Sequence, residues 1–207
     1  MEPEDKNLPD RRQQELVRKA LHFLIALAPV LAAFNRLFAL ALLAAGIFAY
    51  TVMETLRRRG VSIPLVSDLT VFASRRRDHG RFVLGPVTLG MGAFLSLLIF
   101  PPQTAAIAIC ALAFGDGTAS LAGKFIGRTR PPFLFGKSLE GSAACFLGTL
   151  LSVYLVTFYS GSGNWTIALI AAVSASITEL LPIRDWDNII IPLAAGFAVH
   201  AVPLVLT

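Results

Sequence analysis

The most regular feature of this sequence is a series of long apolar runs, separated by short segments rich in proline, glycine and charged residues. A helix needs about 20 mainly apolar residues to cross the hydrocarbon core of a bilayer. Seven runs approach that length, at 17–34, 37–55, 82–100, 103–123, 139–160, 165–181 and 187–206. The pattern predicts an all-α, polytopic integral membrane protein with about seven transmembrane helices.

Turn-forming residues separate the runs, as at Pro101 and Pro102. No internal repeat or soluble module is evident, so we predict a cytoplasmic N-terminal tail over 1–16 and a single transmembrane catalytic domain over 17–207. The tail lacks the basic-then-apolar order of a cleavable signal, and the first helix is therefore expected to remain in the mature protein.

Residues 61–74 form a weaker element between the second and third runs. Ile63, Val66, Leu69 and Phe72 are spaced to lie along one side of a short helix, and three arginines follow them. We predict an interfacial helix on the inner leaflet, with its cations near anionic lipid headgroups. A basic loop without regular structure is the alternative.

Composition and charge agree with a membrane protein and give it an orientation. Only 15% of the 207 residues are charged, whereas soluble domains carry about 25%. The net charge of +5 does not indicate nucleic acid, because the basic residues fall in short blocks between apolar runs. With the N-terminus in the cytoplasm, 17 of the 18 Lys and Arg residues are cytoplasmic and only Arg36 is outside. Since cytoplasmic loops are enriched in Lys and Arg, we predict a cytoplasmic N-terminus and an outer C-terminus.

Asp116 is the most informative single residue. It lies between Gly115 and Gly117, about 20 Å into its helix from the outer surface at 1.5 Å per residue. Ionisable groups within spanning helices are costly and commonly functional, and the flanking glycines allow a backbone or a phosphate to approach closely. We interpret Asp116 as a magnesium ligand; a carboxylate paired with an arginine for structure alone is the alternative.

The segment that follows Asp116 has the features of an anion site. Gly123 and Lys124 lead through a proline-containing loop to Lys137 and Ser138. Ser138 can cap the next helix, which brings Lys137 beside the free amides and positive dipole end of that helix. Such a helix start suits a triphosphate. The alternative is a cytoplasmic basic loop with an ordinary helix cap.

Further polar residues lie at the cytoplasmic ends of other predicted helices. They include Glu54, Glu179, Asp187 and Asn188. Arg18 and His22 share one face of the first helix, with Lys19 adjacent. Carboxylate and amide oxygens suit magnesium, whose coordination commonly includes substrate phosphates. We therefore predict Asp187 and Asn188 as metal ligands together with Asp116.

In the order and spacing of these residues, the chain resembles the CTP-dependent lipid-alcohol kinases, which include dolichol kinase, phytol kinase and the CTP-dependent diacylglycerol kinase. The resemblance runs from Arg18 to Pro192 and therefore covers most of the chain. Its parts are Arg18-Lys19 with His22, then Gly115-Asp116-Gly117 with Ala119, Gly123 and Gly127, then Lys137-Ser138 with Gly141-Ser142, then Thr178-Glu179 with Leu181-Pro182, and finally Asp187-Asn188 with Ile191-Pro192.

The resemblance implies transfer of the γ-phosphate of CTP to a lipid alcohol, which is a polyprenol such as dolichol, phytol or diacylglycerol, with Mg²⁺ as cofactor. It places Asp116 and Lys137 in the nucleotide site. We expect Arg18 and Lys19 to neutralise charge on the transferred phosphate. The nucleotide-binding residues that we predict are Gly115, Gly117, Ser120, Gly123, Lys124, Lys137, Ser138, Gly141 and Ser142. The general base is one of Glu54, Glu140 and Glu179, and we assign His22 and Glu54 to the acceptor.

Two other functions remain open. Phosphatidate cytidylyltransferases share a motif that Lys137-Ser138-Leu139-Glu140-Gly141 fits, although Leu139 stands where an aromatic residue is common and those enzymes are typically longer. A small ion-coupled transporter is the more distant alternative. Its ion path should continue to the outer side, where Arg36 and His200 are the only candidates for charge.

The predicted partners are CTP, a membrane lipid alcohol and the bilayer, without nucleic acid; a homodimer is compatible with the sequence. The predicted location is the plasma membrane of a bacterium or archaeon, or the endoplasmic reticulum of a eukaryote. The basic residues place the active site on the cytoplasmic face.

Overall fold

The computed structural model describes residues 11–61 and 81–202, and all regular secondary structure within them is helical. The predicted interfacial helix over 61–74 lies outside the described residues apart from Val61, and so does the predicted tail before Arg11.

The first apolar run is two helices joined by a tighter turn. Helix α1 (Arg11–Phe23) leads through a 3-10 turn (Leu24–Ala26) into α2 (Leu27–Phe34). Pro29 explains the turn, because it lacks an amide hydrogen and its ring crowds the carbonyl four residues earlier. Since α1 begins at Arg11, helical structure extends into the predicted tail.

The remaining helices follow the predicted apolar runs closely. They are α3 (Arg36–Arg58), α4 (Gly85–Ile99), α5 (Pro102–Cys110), a π-helical segment (Ala111–Asp116), α6 (Gly117–Phe125), α7 (Leu139–Tyr159), α8 (Trp165–Glu179) and α9 (Asp187–His200), with short 3-10 turns at Pro132–Leu134 and Arg184–Trp186. Asn35 caps α3 by accepting a hydrogen bond from the Phe38 amide at 3.0 Å.

One continuous helical run forms the centre of the bundle. It comprises α5, the π-helical segment and α6, and it packs against α7, α8 and α9. In the most apolar part of Pro102–Phe125, 61% of the residues are buried, against 11% in Arg36–Arg58. Helix α3 packs mainly on α2 and α4 at the periphery, so most of its apolar surface is left for lipid.

In the part of the chain that the structure describes, four helical runs are long and apolar enough to cross a membrane: Glu15–Phe34, Arg36–Arg58, Pro102–Phe125 and Leu139–Tyr159. Helices α4 and α8 are apolar but shorter. An all-α architecture with candidate membrane-spanning helices is therefore confirmed. The count of seven spans and the orientation of the termini stay predictions.

Arg36, the one basic residue predicted on the outer side, caps the end of α4. Its guanidinium donates through Nε to the carbonyl oxygen of Leu97 at 2.8 Å, and through Nη2 to that of Phe100 at 3.1 Å. These carbonyls have no partner within the helix, and a cation at a helix C-terminus also interacts favourably with the helix dipole. A structural role thus accounts for its position.

Arg36→Gln is expected to lower the stability of the protein, because it removes a charged donor from several carbonyl groups. Charge-assisted hydrogen bonds contribute about 1.5–3 kcal/mol each, so thermal unfolding in detergent should shift clearly to lower temperature. The exposed Arg59→Gln is the matched control. Equal unfolding temperatures for the two variants would contradict this role.

Candidate active site

A cavity of about 500 Å³ lies among α1, α3, α4, the end of the π-helical segment and the start of α9. Its polar lining comprises Arg18, Lys19, His22, Tyr50, Asp116, Asp185, Asp187 and Asn188. Most of the remaining lining is apolar and includes Leu21, Ile25, Leu42, Leu43, Ile47, Met53 and Leu89. The cavity therefore brings together predicted site residues from three distant parts of the chain.

The polar and apolar linings lie at different levels along the helices. The amide nitrogen Nδ2 of Asn188 is 3.4 Å from the carbonyl oxygen of Gly85, so the start of α9 lies beside the start of α4. Further along α4, Gly90 packs against Ile47 of α3. The cavity thus passes from a polar end, near these helix starts, to an apolar end between α3 and α4.

Two side chains of α1 contact Asp116 at the polar end. Lys19 Nζ lies 3.0 Å from Asp116 Oδ2, and His22 Nε2 lies 3.4 Å from the same oxygen. His22 Nε2 is also 3.1 Å from the carbonyl oxygen of Leu112. Because a carbonyl oxygen only accepts, Nε2 is the ring nitrogen that carries hydrogen. All three side chains are buried, which strengthens their interaction relative to water.

The glycines on both sides of Asp116 allow α1 and α7 to pack closely against this part of the central helical run. The π-helical segment ends at Asp116, and such segments are frequent at functional sites. A β-carbon at Gly117 would lie 2.5 Å from the ring of Phe23 in α1, and one at Gly115 would lie 2.4 Å from Thr149 Oγ1 in α7. Glycine on each side of Asp116 is therefore required by neighbouring side chains.

Asn188 is fixed by contacts with α4. Its Nδ2 donates to Thr88 Oγ1 at 3.0 Å and points to the Gly85 carbonyl, so the amide nitrogen faces α4. Its neighbour Asp187 accepts a hydrogen bond from the Asn188 amide at 2.9 Å and lines the cavity. The close approach of α9 to α4 depends on Gly92, where a β-carbon would lie 2.0 Å from the Asn188 carbonyl oxygen.

The three predicted metal ligands Asp116, Asp187 and Asn188 line this one cavity. Within 11–61 and 81–202, no group of three His, Cys, Asp or Glu side chains could hold a metal ion by itself. Magnesium is usually bound by one or two carboxylates together with substrate phosphates rather than by an all-protein cage. The oxygen donors present therefore fit a magnesium ion that arrives with a phosphate ligand.

Lys137 and Glu179 form a second cluster, between the loop before α7 and the end of α8. Lys137 Nζ lies 3.0 Å from Glu179 Oε1 and also contacts the Glu179 carbonyl oxygen. Ser142 Oγ donates to Glu179 Oε2 at 3.2 Å. Neither Lys137 nor Glu179 lines the cavity around Asp116, so the structure divides the predicted site into two groups.

The start of α7 is organised as the sequence predicts. Ser138 Oγ caps α7 by accepting from the Gly141 amide at 3.1 Å. Glu140 turns back to the preceding loop, where its carboxylate accepts from the amides of Arg128 at 3.1 Å and Thr129 at 3.0 Å. Gly123 packs against this cap, because a β-carbon there would lie 3.2 Å from Ser138 Oγ.

Three other predicted site residues, Glu54, Lys124 and Ser120, do not line the cavity. The carboxylate of Glu54 accepts from Arg57 Nε at 2.6 Å and from the Val83 amide at 3.0 Å, which ties α3 to the segment before α4. Lys124 pairs with Glu15 of α1. Ser120 Oγ lies 3.5 Å from the Gly117 carbonyl oxygen within α6.

Sequence reasoning missed Glu15, Thr88 and the α3 wall of the cavity. Glu15 pairs with both Arg18 and Lys124, and so joins α1 to α6 at the polar end. Its spacing from Arg18 and Lys19 on one helix was an available signal. Thr88 lies in an apolar run where a threonine commonly bonds its own helix, and the apolar residues of α3 carry no chemical pattern that marks a cavity.

The comparisons with known proteins point to one group of enzymes. The chain is 31% identical to phytol kinase 1 of Arabidopsis thaliana over 91% of its length, covering 66% of that protein. It is 31% identical to a probable phytol kinase of Triticum aestivum over 90% of its length, covering 68% of that protein. An uncharacterized protein of Rickettsia prowazekii is 28% identical over 93% of the chain and 96% of its own length.

The plant relatives are longer proteins, and the chain spans between about half and two thirds of their length. No protein-family model matches the chain, and no solved structure matches it significantly. The matches to the plant kinases nevertheless cover nearly all of this chain, including the central segments that carry Asp116 and Lys137. The chain therefore belongs to the phytol kinase family.

Proposed function

We propose that this protein is a membrane lipid kinase that transfers the γ-phosphate of CTP to the hydroxyl group of a lipid alcohol. The acceptor is phytol, a polyprenol such as dolichol, or diacylglycerol. The observation that carries the proposal is the cavity, whose charged end around Asp116 continues into an apolar part between α3 and α4. A lipid alcohol has the same distribution, with one polar group on a long hydrocarbon chain.

The acceptor reaches this cavity from the membrane. Leu21 and Leu42 line the cavity and are also exposed, at 42% and 50% of their surfaces, so its wall is continuous with the outer surface of the helices. In the bilayer that surface contacts lipid. The hydrocarbon chain can therefore enter sideways between α1 and α3 while the hydroxyl group remains near Asp116.

The nucleotide is proposed to bind at the cytoplasmic ends of α6 and α7. Lys137 lies before the capped start of α7, where the backbone amides and the helix dipole favour an anion. Lys137 is paired with Glu179, and a triphosphate would compete for this cation. Magnesium held by Asp116, Asp187 and Asn188 would neutralise charge on the phosphates.

The reaction forms a bond between the acceptor oxygen and the γ-phosphorus and breaks the bond from that phosphorus to the bridging oxygen, so CDP leaves. Such transfers depend mainly on positioning and electrostatic stabilisation. Lys19 and Arg18 line the cavity near Asp116 and would stabilise charge on the transferred group.

The hydroxyl proton needs an acceptor inside the cavity. Glu54, Glu140 and Glu179 do not line it. The general base is therefore one of the aspartates that line the cavity rather than one of these glutamates, and Asp185 is the one among them that is not assigned to magnesium.

A cytidylyltransferase would use the same nucleotide and a related lipid, so the position of the transferred phosphorus distinguishes the two reactions. Purified protein is incubated with Mg²⁺, phytol, dolichol, diacylglycerol or phosphatidate, and CTP labelled at either the γ- or the α-phosphate. We expect γ-label in a phosphorylated alcohol and no α-label in any lipid. Label from the α position in lipid would contradict the kinase and favour the cytidylyltransferase.

Asp116→Asn is expected to reduce phosphate transfer by about 100-fold or more, the scale of loss when one preorganised electrostatic group is removed from an active site. His200→Gln, at the far end of α9 and outside the cavity lining, is the control and should keep its activity. Initial rates are measured on protein whose folding is checked by thermal unfolding. Full activity in a folded Asp116→Asn variant would refute the proposed site.

A further inference from the structure

Helix α3 forms a long side of the apolar part of the cavity. Its lining residues are Leu42, Leu43, Gly46, Ile47, Tyr50 and Met53. From Leu42 to Met53 this wall extends about 16 Å along the helix, at a rise of 1.5 Å per residue. A hydrocarbon chain whose hydroxyl group lies near Asp116 would therefore run parallel to α3 for several turns.

Gly46 is the position in this wall where α3 presents no side chain. It lines the cavity and is exposed, and a β-carbon built on it would meet no atom within 4 Å. Helix packing therefore does not account for a glycine at this place in α3, where glycine is unfavourable for the helix itself.

Gly90, on the facing helix α4, differs from Gly46 because its position is explained by helix packing. A β-carbon there would lie 2.8 Å from Ile47 Cγ1, so Gly90 is needed for α3 and α4 to pack. Ile47 fills the space over Gly90, whereas the space over Gly46, one residue earlier, stays open. The two glycines of this wall thus have different roles, one in packing and one in leaving room.

We infer that the hydrocarbon chain of the acceptor passes over Gly46, and that the size of the residue at this position determines how long a hydrocarbon chain the enzyme accepts. This inference rests on the proposed lipid kinase activity. It assigns a specificity-determining role to a residue that lacks a functional group and lies outside the motifs around Asp116 and Lys137.

The test compares kcat/KM for phytol with kcat/KM for the shorter alcohol geraniol. Gly46→Leu should lower the value for phytol at least about tenfold relative to geraniol, since discrimination by one methylene in an apolar pocket is already about 10–200-fold. Gly46→Ala, which meets no neighbour, should change the ratio little. Ala45→Leu adds the same side chain on a different, exposed face of α3 and should leave the ratio unchanged.

A second measurement does not depend on activity. Cys110 and Cys145 are buried, so Gly46→Cys supplies an accessible thiol for a maleimide. Bound phytol should slow alkylation of Gly46→Cys several-fold and leave alkylation of Ala45→Cys unchanged. This measurement tests whether the acceptor chain passes over Gly46 even if Gly46→Leu fails to fold.

The possible failures are distinct. If the unmodified protein phosphorylates none of phytol, geraniol, dolichol and diacylglycerol with CTP, the proposed function fails and the inference fails with it. If the protein is active, but Gly46→Leu keeps the ratio between phytol and geraniol and phytol does not protect Gly46→Cys, the inference alone is overturned.

Discussion

The buried ion pair between Lys19 and Asp116 is the interaction on which the arrangement of this protein depends. Its two charges lie 3.0 Å apart within an apolar helical bundle, where an unpaired charge costs several kcal/mol. Each charge therefore fixes the other, and the pair holds peripheral α1 against the central helical run. His22 adds a second contact to Asp116 and a bond to the Leu112 carbonyl.

The surrounding sequence makes this pair possible. Glycines at 115 and 117 remove the side chains that would separate the central run from α7 and α1, and the π-helical segment ends at the carboxylate. Because α1 is held at its charged end, its apolar residues and those of α3 and α4 enclose a cavity rather than a packed core. The same contacts thus define the fold near the site and shape the space for a lipid alcohol.

Most of the fold was predictable, because apolar runs of membrane length have few structural alternatives. The joins at Pro101 and the cap at Ser138 were also readable from local chemistry. The separation of the site into two clusters was not predictable. Asp116 and Lys137 belong to neighbouring motifs in the sequence, yet Asp116 pairs with Lys19 and Lys137 pairs with Glu179. Which charged side chains pair with each other depends on how the helices are rotated and packed, and apolar sequences do not specify this. For the same reason, the open space beside Gly46 could not be predicted from the sequence.

The most direct test is a double-mutant cycle on the buried pair, with Lys19→Met, Asp116→Asn and the double variant compared for thermal stability and for phosphate transfer. Removing one member of a buried pair should destabilise the protein by about 3 kcal/mol, because the other charge is left uncompensated. The double variant should recover most of that stability and yet remain inactive. Additive losses of stability, or recovery of activity in the double variant, would contradict the claim that this pair both stabilises the fold and is required for phosphate transfer.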